Sequence, residues 1–208
     1  MKSKILLVFA CLLTISIISC SETPSRFMEE VSISSYVMMI PTIDGDSRQA
    51  GVLTSITVNN AGITAWVPKS DEIDPQNLDL LVFNLPLDFT DLSVESDLPA
   101  GYILETDSGF AMTNAIPPGE SQILVSYVVP YKGDGFNFDL ELQLDTERVR
   151  MFLPAGEGSV ASEFLKLTGS EIVSEKVFVY AEGGPISSTE ILNIAFTSMP
   201  GPHVAPSR

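Results

Sequence analysis

The sequence predicts an all-β fold, an antiparallel β-sandwich behind an N-terminal leader, and three observations predict it. From Phe136 to Leu144, Phe136, Phe138, Leu140, Leu142 and Leu144 alternate without exception with Asn137, Asp139, Glu141 and Gln143. That is the pattern of a strand with one face in a core and the other in water. The 14 prolines and 14 glycines are spread along the 208 residues, as short strands joined by many turns require. An apolar period of 3.6 nowhere persists through three helical turns.

The strand at Phe136–Leu144 sets expectations for its neighbours. A loop at Lys132–Gly135 pairs it with Ile123, Val125, Tyr127, Val129 and Tyr131, and a second loop at Asp145–Arg148 pairs it with Val149, Met151 and Leu153. Ile123–Leu153 is thus expected to form a three-stranded meander, with Arg150 opposite Gln143 and diagonal to Glu141 on the wet face. Pro130 cannot donate to a ladder, so it is expected at an edge or at a non-donating position.

The chain begins as a lipoprotein signal peptide would. Met1–Lys4 carries two lysines, and Ile5–Ile18 is a 14-residue apolar run, too short for a bilayer core that needs about 20 residues. Ile17, Ile18 and Ser19 then precede Cys20, which resembles a bacterial lipobox, in which cleavage before the cysteine is followed by acylation with chains such as palmitate. Cys11 leaves with the leader and Cys20 is consumed by lipid, so no thiol remains for a disulfide, a metal or a nucleophile. Removing residues 1–19 leaves 189 residues, and because Lys2 and Lys4 go with them the formal charge of −16 becomes −18. Such acidity excludes nucleic acid as a partner and any polybasic grip on anionic headgroups.

Residues 20–30 read as a lipidated cysteine and polar tether. Residues 31–200 read as the β-sandwich, either as one unit or as 31–155 with C-terminal strands 156–200, and 201–208 as a disordered tail. Within the sandwich, Val31–Ile40 is a strand that stops at Pro41. In Val52–Val58, Leu53, Ser55 and Thr57 alternate with Val52, Thr54, Ile56 and Val58. Asn59–Gly62 is a tight turn, and Leu78–Leu85 has the continuous apolar look of a strand buried on both sides or at a sheet centre. Shorter strands are expected at Phe89–Val94, Tyr102–Leu104, Phe110–Met112, Phe164–Leu167, Val177–Tyr180 and Ile191–Phe196.

Across Val52–Pro154 the sequence resembles a family of uncharacterised bacterial exported proteins. The motifs that carry the likeness are Asn60–Gly62, Phe83–Pro86, Thr106–Phe110, Pro117–Glu120 and Tyr127–Tyr131. They are turn and strand chemistry, so the resemblance implies an immunoglobulin-like, transthyretin-like or carboxypeptidase-regulatory-like sandwich and brings no catalytic residue with it. The sequence departs from family members that continue into a C-terminal membrane segment, a place that the Cys20 lipid would take.

A search for sites returns little chemistry. The single histidine, His203, lies in the proline-rich end, where nothing aims it, so a Ser-His-Asp triad, a histidine-ligated zinc and a histidine base are not expected. No Ser-x-x-Lys heads a helix. Hard oxygen ligands for calcium cluster at Asp44/Asp46, at Asp71/Glu72/Asp74 and at Asp88/Asp91, without EF-hand spacing, so solvated loop acids are the expected reading and neither metal nor cofactor is called for. Met38 and Met39 point to opposite faces of their strand, against a copper-binding pair. Trp66 with Tyr102, Tyr127 and Tyr131 is either a sugar-stacking platform or ordinary sandwich packing. The expectation is therefore an exported, membrane-anchored, non-catalytic protein of the bacterial cell envelope that binds or scaffolds a protein partner. A carbohydrate- or calcium-binding module is the alternative.

Overall fold

The computed structural model describes residues 30–68, 80–99 and 101–202. They form thirteen strands: β1 Val31–Asp44, β2 Gln49–Asn60, β3 Leu81–Asn84, β4 Thr90–Ser96, β5 Ile103–Thr106, β6 Gly109–Met112, β7 Gly119–Pro130, β8 Phe136–Glu141, β9 Val149–Pro154, β10 Ser159–Ala161, β11 Lys166–Val173, β12 Lys176–Gly183 and β13 Ile191–Thr197. A seven-stranded sheet runs in the order β11-β12-β9-β1-β2-β7-β4, and two three-stranded sheets, β10-β13-β8 and β3-β6-β5, make the second layer. One continuous core joins all three. It holds Tyr36, Ile56, Ile123 and Met151 from the large sheet, Leu140 and Ile194 from one small sheet, and Phe83 and Phe110 from the other.

The all-β reading holds, and so does the alternation in the organising strand: Phe138, Leu140, Leu142 and Leu144 are buried. The meander does not hold. β7 pairs with β2 and β4, β8 pairs with β13, and β9 lies between β12 and β1, its pairing with β1 parallel in an otherwise antiparallel sheet. The chain leaves β7 through the expected Lys132–Gly135 turn, closed by reciprocal backbone bonds of 3.3 Å, but crosses to the opposite layer. Gly135 permits the crossing, since a Cβ there would collide with the carbonyl of Phe196 on β13. Ile123, Val125, Tyr127 and Val129 therefore face Phe138 and Leu140 across the core rather than along a ladder. Arg150, expected beside Gln143, lies instead opposite Val37 and Glu182, with its guanidinium 3.7 Å from the Glu171 carboxylate.

β1 runs through Pro41, where a stop was expected. Its ladder with β2 slips by one residue between Met39 and Thr42, a bulge that absorbs the missing donor. A second slip between Ile33 and Ser35 resets the alternation, so Val31 and Ile33 before it and Tyr36, Met38 and Ile40 after it all face inward. Pro130 ends β7 opposite Gln49, beyond the reach of β4. Because Tyr131 N–H donates to Arg48 O (2.9 Å), the preceding position turns its backbone nitrogen away from β2, the non-donating placement foreseen for the proline. β3 is an edge strand buried on one face only, with Leu81 and Phe83 inward, which corrects the expectation of a strand covered on both sides. The C-terminal strands β12 and β13 sit in the same sheets as β9 and β8. At the end of the expected sandwich, Pro200 is tied down by the Tyr131 hydroxyl, which donates to its carbonyl (2.6 Å).

Candidate functional site

The inner face of the large sheet is covered by the two small sheets; no strand or helix among the described residues covers its outer face. Cross-strand register brings the outward residues into rows. Ser93, Ser126, Leu53 and Met39 stand side by side across β4, β7, β2 and β1, and Glu95, Leu124, Ser55 and Val37 form the next row. Outward sheet positions are ordinarily long and charged, yet apart from Glu95 these are short hydroxyls and apolar groups, with Leu53 and Leu124 exposed to 49% and 44%. Between the rows lies a shallow depression of about 400 Å³ floored by Val37, Met39, Leu53 and Leu124. It adjoins a second, of about 210 Å³, that shares Glu95 and Leu124 and is rimmed by Asp97. Asp97 is held in place by accepting the Gln122 backbone N–H (2.7 Å). Toward β9 the apolar band continues through Phe152, stacked on Tyr180 (5.0 Å between centroids) with the Arg150 guanidinium over its ring.

The residues singled out by sequence are dispersed. Cys20, Asp71, Glu72, Asp74 and His203 lie outside the described residues. Asp44 caps the β1–β2 hairpin: its Oδ1 accepts backbone N–H groups from Asp46 (2.9 Å) and Ser47 (3.2 Å). Hydrogen bonds from the Ser47 side chain, then from the Ser47 and Asp46 backbones, hold its carboxyl below the usual carboxylate range. Asp88 and Asp91 both adopt positive φ (62° and 55°), and Asp91 sits at the β-bulge of β4. Among the described residues, no group of three or more histidine, cysteine or acidic side chains is placed to hold a metal ion. Trp66, Tyr127 and Tyr131 are buried while Tyr102 is exposed to 77%, so they share no surface platform. Met38 points into the core and Met39 outward, as read.

Sequence reading missed a polar cluster inside the sheet. The Tyr36 and Tyr127 side chains converge on Thr54, and burial pushes both phenols well above the ordinary tyrosine value. Among the described residues, Thr54 Oγ1 and Tyr127 OH find no hydrogen-bond partner. Asn60, also inward, is fully used: its Nδ2 donates to Thr64 O and Ile116 O (both 2.9 Å) and its Oδ1 accepts from Gly62 N–H (2.9 Å). The outer depression was hidden for a different reason. Val37, Met39, Leu53 and Leu124 each occupy the wet phase of their strand, a signal visible strand by strand that becomes a patch only once the register is known.

No protein-family model matches the chain, and no curated protein matches it significantly. Among solved structures it is similar to a two-domain M1 zinc metallopeptidase bound to L-tryptophan, at 12% identity and a TM-score of 0.47, over 81% of this chain and 43% of that one. It is also similar to an M1 zinc metallopeptidase from Deinococcus radiodurans, at 12% identity and a TM-score of 0.46, over 81% and 42%. The chain spans less than half the length of these structures, and at TM-scores below 0.5 the likeness carries no argument.

Proposed function

We propose that this chain is an extracytoplasmic lipoprotein of the bacterial envelope, of the exported family its middle section resembles. It is anchored through Cys20 and works without catalysis by holding a protein partner near the membrane. The observation that carries the reading is the uncovered outer face of the seven-stranded sheet, where Val37, Met39, Leu53 and Leu124 floor a smooth depression bordered by serines. Short side chains lose little rotamer freedom on contact, and exposed apolar groups gain from burial, so such a face suits a protein surface. The address rests on the two-lysine start, the short apolar run and the Ile-Ile-Ser-Cys ending.

The test joins address to contact. Photo-crosslinkers placed at Leu53, at Leu124 and at the exposed remote Glu163 in the membrane-bound protein should give a discrete adduct from the first two positions only. Cys20→Ala should release the protein from the membrane fraction and abolish that adduct. Membrane attachment unaffected by Cys20→Ala, or equal labelling at all three positions, would overturn the proposal.

A further inference from the structure

We infer that the outer-face depression takes a basic amphipathic segment of its protein partner, apolar side chains down on the sheet and Lys or Arg toward Glu95 and Asp97; this rests on the reading above and specifies the partner's chemistry. The four strands that build the face, β1, β2, β7 and β4, contain no lysine or arginine. The cations of the large sheet, Arg150, Lys166 and Lys176, all lie on β9, β11 and β12. Glu95 stands directly opposite Leu124 in the ladder, at the junction of the two depressions, and Asp97 rims the second. Among the described residues, neither carboxylate is in an ion pair. An apolar floor with one-signed carboxylates along one side selects by charge as well as by shape.

The same distribution decides between occupants. A second copy laid face to face brings no cation from these strands and sets carboxylate toward carboxylate. An anionic lipid surface is repelled for the same reason. A helix with apolar residues at helical spacing and lysines flanking them satisfies both the floor and the rim.

The test uses the mature chain from residue 20 with Cys20→Ala, which keeps every described residue, and three helical peptides of one pattern: leucine with lysine, with glutamine, or with glutamate. Fluorescence anisotropy should show saturable one-to-one binding of the Leu/Lys peptide, with the Leu/Gln and Leu/Glu forms weaker by about tenfold or more. Glu95→Lys with Asp97→Lys should weaken the Leu/Lys peptide by about tenfold, while the remote pair Glu157→Lys with Glu163→Lys changes it by less than about twofold. Leu53→Ser, an exposed change whose fold is checked by circular dichroism, should weaken all three peptides. Absence of Leu/Lys binding, or equal loss from the remote pair, overturns the inference. So does equally tight binding of the Leu/Gln form, and that result would leave the partner-holding face itself standing.

Discussion

The two faces of the seven-stranded sheet are made by the same strands and obey different rules. On β7, Ile123, Val125, Tyr127 and Val129 point inward and are fully buried, while Leu124 and Ser126 point outward from the residues between them. Inside, apolar burial supplies the stability and every polar atom needs a partner. Outside, leucine is tolerated because water still reaches about half of its surface and no described strand or helix competes for the space. The contrast teaches that an outward leucine here is not a stability device, which leaves recognition as the reason to look for.

The largest expected effect breaks the comparison most directly. Ile123→Asp buries an unpaired carboxylate and should cost several kcal/mol, on the scale of a domain's whole stability of about 5–15 kcal/mol. Leu124→Asp, one residue on, should cost less than about 1 kcal/mol. Leu140→Asp and Glu141→Lys repeat the test on β8, where Leu140 is buried and Glu141 exposed. Denaturant melts giving the two members of a pair equal losses would refute the face assignment.

How much of this was legible in the sequence follows from what alternation can encode. A period of two says which side of a strand meets the core, and for β2, β7 and β8 it did so residue by residue. It says nothing of which strand lies alongside. Phe138 and Leu140 on β8 are matched by Ile194 and Leu192 on β13 as well as they would have been by β7, so the nearest strand in sequence was a reasonable but wrong partner. The parallel pairing of β1 with β9 joins residues more than a hundred apart, and the slip at Ile33/Ser35 reverses the phase without any glycine or proline to mark it. The outer depression inherits that opacity, since its floor is assembled from three strands whose register no local pattern states.

Asn60 sharpens the inner-face rule. It is a buried polar side chain whose three hydrogen bonds fasten the Thr64 loop and the Ile116 bridge to the end of β2. Asn60→Ala leaves the Thr64 carbonyl and the Gly62 N–H without partners, while Ile116 O keeps its bond from the Trp66 N–H, and should cost about 2 kcal/mol, read as a lower denaturant midpoint at unchanged slope. A loss below about 0.5 kcal/mol would mean that water replaces the side chain.

A smaller effect lies at the far end of the sheet, in the tip joining β11 to β12. Ser174 and Glu175 both have positive φ, 48° and 68°, in a two-residue hairpin, a geometry that favours Asn-Gly. Ser174→Asn with Glu175→Gly should therefore stabilise by about 1–2 kcal/mol. Because the tip touches neither floor nor rim of the depression, peptide binding should stay unchanged. A destabilised double variant would show that another contact sets the turn.

The smallest expected effect is of opposite sign and tests the inner face from its exception. Thr54 Oγ1 and Tyr127 OH are buried without a hydrogen-bond partner among the described residues, so Thr54→Val removes a desolvated hydroxyl at nearly constant volume and should stabilise by about 1 kcal/mol or less. The same cluster sets the alkaline limit. Burial raises the folded pKa of Tyr36 and Tyr127 above the ordinary value of 10.0. Above that pH the unfolded chain releases phenolic protons that the folded one keeps, so the stability is intact below pH 10 and falls as pH rises beyond it. Tyr127→Phe, which removes one titrating group, should make that fall shallower. Denaturant melts at neutral pH and above pH 10 separate the two effects, and a Thr54→Val variant that loses stability at neutral pH would mean the hydroxyl is satisfied after all.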